Sequence, residues 1–273
     1  MNTPSPSRAP SRAELREHLV RTMIAGEVAT PRQNNLLHYR RMAAGNPYYL
    51  FGLDLKRQWS EADVLAMMAE RCGVSPDPRH VYGDDTIDPD RTLDALEAMA
   101  ERIRHAADSR ARVVLATGHP QALPPIYQAL GRALRARGCR LLTPAEGWWY
   151  EAELAYGTEV RRLRYVEDVA MLQSEDGRMQ HTHDPQPMEA ILAELAAESD
   201  DWPDLAIADH GWAGAAGEAG IVTVGFADCN DPALFAGEAE GKVAAVVPLD
   251  DGVPAHQYAP LTAYLLELSG LSA

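Results

Sequence analysis

Lysine is almost missing from this chain. Lys56 and Lys242 are the only two, and the basic residues total 25 against 40 acidic ones, a formal net charge of −15. A surface of that sign repels phosphate backbones and offers no basic stripe for counterion release, so nucleic acid is not an expected partner. Cysteine is scarce too. Cys72, Cys139 and Cys229 are odd in number and include no CxxC pair, which points away from a disulfide frame or a thiolate zinc site and toward a reducing cytoplasm. No apolar run approaches the roughly 20 residues of a membrane helix, and the first dozen residues lack the apolar centre of a signal peptide. Membrane insertion and secretion are therefore not expected.

Several catalytic signatures are absent as well. The sequence contains no GxSxG elbow, no HExxH zinc motif, no GxxxxGK[ST] phosphate loop, and no cysteine followed by the arginine of a cysteine-phosphatase loop. Gly211, Gly214 and Gly217 are spaced as GxxGxxG rather than GxGxxG, so they read as small residues that let a helix pack closely, not as a dinucleotide fingerprint.

What is present is a globular composition of 273 residues, 46% hydrophobic and 24% charged, long enough to bury a core without staples. Residues 1–10 are rich in Pro and Arg and read as a disordered tail. Residues 11–108 read as helical. Ser11 and Glu14 make a capping-box pattern ahead of Leu15, Leu19, Val20, Met23 and Ile24; a second helix follows Pro31; Ser60 and Asp63 open a third; Asp88-Pro89 caps a long fourth carrying Leu93, Leu96, Met99 and Ile103. After Arg112 the texture changes to βαβ grammar, with aliphatic runs at 113–117, 139–143, 169–173, 205–208, 221–226 and 243–248 alternating with helical patterns. The expected fold class is α/β: a mostly parallel Rossmann-like sheet covered by helices, preceded by an all-helical N-terminal segment, with the site carried on residues 109–273.

The chemistry concentrates where strands end, which is where open α/β sheets bind ligands. One predicted strand runs into ATGHP, with Thr117, Gly118 and His119; another into HTHDP, with His181, His183 and Asp184; another into ADHG, with Asp209 and His210; another into FADCNDP, with Asp228, Asn230 and Asp231. Asp250-Asp251 is a fifth, weaker case. His181 and His183 are two apart, so an extended segment sends both imidazoles to one side, as metal ligands or a ligand and a base require. They also suit a plain exposed loop. Asp209, Asp228, Asn230 and Asp231 offer oxygen donors to a divalent ion, and Asp209 and Asp231 equally suit helix N-caps. The ATGHP turn offers backbone N–H groups to an anion, with His119 as proton donor or as a structural hydrogen-bonding residue.

Together with TPRQNNLLHYRR and the PLDD segment, these runs resemble a bacterial, largely actinobacterial, family of about this length that carries a general phosphatase label, from about Ser11 to the C-terminus. A looser likeness is to the metal-dependent damage-control phosphatases, which pair Asp and Asn as metal ligands; here Cys229 separates Asp228 from Asn230. The resemblance implies a phosphoric monoester hydrolase. The leading expectation is metal-assisted hydrolysis of a small phosphorylated metabolite. Mg, Mn or Zn would be held by Asp209, Asp228, Asn230, Asp231 and His181; phosphate would be bound at Thr117, Gly118 and His119; catalysis would involve His119, His183 and His210. The alternatives are a metal-independent isomerase or lyase of a phosphorylated sugar, or a metabolite-binding protein without turnover. Self-association is left open.

Overall fold

Ser11 starts the first helix by closing both halves of a capping box: its hydroxyl accepts from the Glu14 N–H, and the Glu14 carboxylate accepts from its own N–H. The computed structural model describes residues 8–154, 157–197 and 201–272. Residues 1–7 of the expected tail lie outside the described residues; Arg8, within them, pairs with Glu14 at 2.6 Å. The chain runs through α1 (Arg12–Arg21), β1 (Gly26–Pro31), α2 (Arg32–Ala43), a short 3₁₀ turn at Pro47–Tyr49, α3 (Glu61–Cys72), β2 (Asp84–Ile87) and α4 (Pro89–Ser109). Ser60 and Asp63 form a second capping box at α3, and the Asp88 carboxylate accepts from Asp90 N–H at the start of α4.

The N-terminal segment is not all-helical. Strands β1 and β2 pair antiparallel as a separate two-stranded sheet. Val28 and Thr30 are buried while Glu27 and Ala29 face outward, the period-two pattern of a strand. Sequence reading passed over it because the segment is six residues long and its partner lies more than fifty residues away.

The remainder comprises β3 (Arg112–Ala116), α5 (Pro124–Ala136), β4 (Arg140–Leu141), β5 (Trp149–Leu154), β6 (Gly157–Val166), β7 (Val169–Ser174), β8 (Met179–Gln180), α6 (Gln186–Ala197), β9 (Leu205–Ile207), α7 (His210–Glu218), β10 (Val222–Ala227), α8 (Pro232–Ala239), β11 (Ala245–Pro248) and α9 (Ala259–Leu268). The main sheet has the order β11-β10-β9-β3-β7-β6-β5. All neighbours from β11 to β7 are parallel, while β5, β6 and β8 join antiparallel. The short β4 pairs with the first two residues of β3, and β7 takes over the same edge further along. The chain thus lays β4 and β7 on one side of β3 and β9, β10 and β11 on the other. The reversal leaves a crevice beyond the carboxyl ends of β3 and β9.

Helix α4 buries Leu93, Leu96, Met99 and Ile103 against β11 and α9. Each such side chain stabilises the packing by roughly 1.5–3 kcal/mol. The hydrophobic core runs without a break from Leu15 in α1 to Leu271 beyond α9. Among the described residues no helix is long and apolar enough to cross a membrane.

Candidate active site

Parallel strands bring their carboxyl ends to one rim, and the residues that follow β3, β9, β10 and β11 meet there. The fifth contributor arrives differently. Strand β7 begins level with the last residues of β3 and runs past the rim, and β8 returns antiparallel, delivering His181 and His183 back onto the crevice. Thr182, between them, is buried and donates its N–H to Gly118 O at 3.0 Å. This clamps the histidine segment to the β3 turn so closely that a Cβ on Gly118 would collide with the Thr182 carbonyl. The two imidazoles then face one way, with ring centroids 4.9 Å apart.

His210, at the junction of β9 and α7, takes a left-handed backbone with φ +48°, a conformation that costs a non-glycine residue roughly 1–3 kcal/mol. The surroundings hold it there. Its Nδ1 lies 2.7 Å from Asp209 Oδ1. The Asp209 carboxylate is itself fixed by the Gly118 N–H on Oδ1 and the Tyr127 hydroxyl on Oδ2, each at 2.7 Å. The other ring nitrogen, Nε2, is turned into the crevice, 3.4 Å from Asp231 Oδ2 and 3.6 Å from Asp251 Oδ2. A histidine backed by a carboxylate on one nitrogen, with the other aimed among further ligand groups, is the usual arrangement of a metal ligand.

Among the described residues three ligand groups overlap along the crevice: His181, His183 and His210; His210, Asp231 and Asp251; Asp228, Asp250 and Asp251. Within each, the ligand atoms all lie within 4.8 Å of one another. His210 and Asp251 each belong to two groups, so the donors form a continuous row, imidazole-rich at one end and all-carboxylate at the other. The interior of this row has unmet needs. Among the described residues, His183 Nδ1 and Asp251 Oδ2, and His119 Nδ1 beside the row, are buried without a hydrogen-bond partner, although buried polar atoms are nearly always satisfied. Five buried aspartates, 209, 228, 231, 250 and 251, share this space, and buried charges are ordinarily paired or coordinated to a metal. The residues present therefore fit divalent ions, with Zn or Mn suited to the imidazole end and Mg or Mn to the carboxylate end.

Charge balance within the row follows the same geometry. Burial alone would strip His210 of its proton, but the carboxylates of Asp231 and Asp209 outweigh it and raise its pKa well above the ordinary histidine value. Burial, reinforced by the positive His210, holds His183 down at about 3 and lowers His119 as well. Asp251 is pushed up by burial, and Asp228 by burial and its neighbours Asp250 and Asp231.

The structure brings together His119, His181, His183, Asp209, His210, Asp228 and Asp231 from the set read in the sequence. Asp209 caps no N–H of α7; its oxygens are taken by Gly118, His210 and Tyr127. Asn230 accepts from His38 Nδ1 on its backbone carbonyl at 2.8 Å, and it lines a neighbouring cavity. The backbone N–H groups expected to meet an anion are committed elsewhere: Thr117 donates to Ala170 O, Gly118 to Asp209 and His119 to Thr117 Oγ1. Helix α5 begins only at Pro124, so the turn is not its N-terminus.

Other contributors escaped sequence reading. Thr30 Oγ1 donates to Asp228 Oδ2 at 2.8 Å, and Ala29 N–H to Asp250 Oδ2 at 3.3 Å, so β1 forms one wall of the site. Behind it, fully buried Arg32 pairs with Asp85 at 2.8 Å. Two clefts reach the row from different sides. One, of about 530 Å³, has Asp228, Asp250 and Asp251 among its lining residues; the other, of about 500 Å³, opens on His181 and His183 under the β5–β6 hairpin.

Comparison with known proteins gives the family of the chain. A family model described as Phosphatase matches residues 10–273. A Streptomyces coelicolor protein named Phosphatase SCO2771 is 52% identical over 264 residues, covering 96% of this chain and 97% of that protein. With a family match and a relative that both span nearly its whole length, the chain belongs to the Phosphatase family and is a phosphatase.

Proposed function

We propose that this phosphatase hydrolyses phosphomonoesters of small metabolites with the help of bound divalent ions. The observation that carries the reading is a pair of buried atoms without a hydrogen-bond partner, His183 Nδ1 and Asp251 Oδ2, in a row built of imidazoles and carboxylates. His181, His183, His210, Asp231 and Asp251 would hold an ion, with Asp228 and Asp250 extending the site to a second and Asn230 beside them. When bound, Mg, Mn or Zn supplies Lewis acidity, neutralising charge on the phosphoryl oxygens and making a water molecule more acidic.

The chain's own groups do the rest. Asp209 acts as a positioning residue: with Tyr127 behind it, it fixes the ring plane of His210 and keeps Nε2 aimed into the crevice. Thr30 and Ala29 hold Asp228 and Asp250 in place. His119 faces Asp251 with its Nε2 3.6 Å from Oδ1 and is kept neutral by its surroundings. From there it takes the proton released by the attacking water and returns it to the leaving oxygen. Thr117 and Gly118 serve phosphate binding indirectly, by setting the direction of His119.

The test is removal and return of the ion. Protein stripped with excess EDTA should lose hydrolysis of nitrophenyl phosphate and recover it with added Mn, Mg or Zn. Full turnover by protein shown by elemental analysis to be metal-free would overturn the metal-assisted reading.

A further inference from the structure

We propose that the cleft beneath the β5–β6 hairpin receives the leaving-group half of the substrate, and that it is built for a neutral, hydroxyl-bearing sugar ring carrying no second anionic group. The proposal rests on the phosphomonoester reading above and narrows it to monophosphorylated sugars, free or within a nucleoside.

The first argument is shape. The cleft opens directly on His181 and His183, so a group esterified to a phosphate at the histidine end of the row would extend into it. Its volume of about 500 Å³ is within the range of small-molecule pockets. One wall is Tyr48, whose ring stacks on His183 with centroids 4.8 Å apart and planes 26° from parallel, yet which remains 51% exposed. Tyr150 also lines the cleft, stacked in turn on Trp148 at 5.4 Å. Aromatic faces fixed in this way pack against the C–H faces of a ring at little entropic cost.

The second argument is charge. Glu151, Glu153 and Asp184 line the cleft, and among the described residues that line it Arg161 is the one arginine or lysine. That guanidinium is already engaged. Its Nε lies 3.2 Å from Glu159 Oε2 and its Nη1 3.8 Å from Asp184 Oδ2, while the Tyr150 hydroxyl donates to the same Asp184 oxygen at 2.5 Å. A second phosphate or carboxylate on the substrate would thus meet three acids and no free cation. Hydroxyl groups find acceptors in those same acids. The cleft on the other side of the row has carboxylates among its lining residues and no aromatic ring, so it offers a sugar neither stacking nor a cation.

The experiment measures kcat/KM of the metal-loaded full chain on a hexose 6-phosphate, a hexose bisphosphate and glycerol phosphate. The hexose monophosphate should exceed the bisphosphate by about tenfold or more, the size expected for one unfavourable like-charge contact. A Glu151→Gln/Glu153→Gln double variant should narrow that ratio by raising activity on the bisphosphate. Tyr48→Ala should raise KM for the hexose phosphate more than for glycerol phosphate. Equal activity on the mono- and bisphosphate, or a Tyr48→Ala effect identical for ring and acyclic substrates, would overturn the cleft assignment alone. Failure to hydrolyse any phosphomonoester would overturn both it and the reading on which it rests.

Discussion

His119 and Asp209 both border the crevice, and their substitution should fail in different ways. Glutamine at 119 keeps a hydrogen-bonding group but cannot carry a proton, and acid–base catalysis contributes on the order of 10²–10⁴-fold. His119→Gln should therefore depress kcat for alkyl phosphates by that order, much less for nitrophenyl phosphate with its good leaving group, and leave metal content unchanged. An equal loss on both substrates with metal content unchanged would leave His119 only the role of base toward water, and a fall in metal content would assign it to ion binding. Asp209→Asn should instead weaken metal affinity by about 10–100-fold, as loss of a carboxylate behind a ligating histidine does, read by titration of the stripped protein. Away from the chemistry, Asp85→Asn leaves the fully buried Arg32 without its charge partner. Breaking a buried pair in that way costs roughly 3–5 kcal/mol, which denaturant unfolding would register; a change within experimental error would show that the carbonyls of Ser75 and His80 suffice for Arg32.

The aspartates and histidines of the row were legible in the sequence because each follows a strand directly, a local signal. Asp250-Asp251 showed the same signal more weakly. Thr30 and Tyr127 were not legible. Their partners lie 198 and 82 positions away, and a threonine or tyrosine next to nothing unusual carries no mark of a distant carboxylate.

Among the elements, the parallel strands, the long helices and the short strand before His181 announce themselves through period, turns and caps, whereas the β1–β2 sheet and the β5–β6 hairpin do not. Strand β6 explains why: Arg161, Arg162 and Arg164 interrupt it, and neither face reads as apolar. What makes it a strand is pairing with β5 and β7 on its two sides, a tertiary cause. The glycines of α7 are packing residues, as expected, but none of them meets the sheet: Gly211 lies against the backbone of His183 and Asp184, Gly214 against that of Phe51 and Gly217 against that of Lys242. A Cβ on Gly214 would collide with the Phe51 carbonyl, which has little room to retreat. Gly214→Ala should destabilise the protein despite the better helix propensity of alanine, by about 1–3 kcal/mol for overpacking. Thermal melting with an unchanged or raised Tm would show that the 3₁₀ turn and Phe51 yield instead.

For the molecule as a whole, bound ions should be a large part of stability. Ligand that binds only the folded state adds about 2.7 kcal/mol at a hundredfold excess over Kd, and on the metal-assisted reading an ion would also relieve mutual repulsion among the buried carboxylates. Stripping with EDTA should lower Tm by several degrees and re-addition restore it. An unchanged Tm would mean that the row tolerates its charges without ions.

The site is also stitched across nearly the full length of the chain. Asp250 N–H donates to Ile24 O at 2.9 Å, His18 Nε2 meets Gln257 O at 2.7 Å, and Thr30 holds Asp228. A ribosome that has released only the first two hundred residues has therefore made a wall of the site with nothing to hold: two of the three overlapping ligand groups are wholly untranslated and the third still lacks His210. Contacts of such sequence separation form late. Any ion capture and catalytic competence would then begin together, only once Asp250 and Asp251 have been made, and a product truncated ahead of them would be inert rather than partly active.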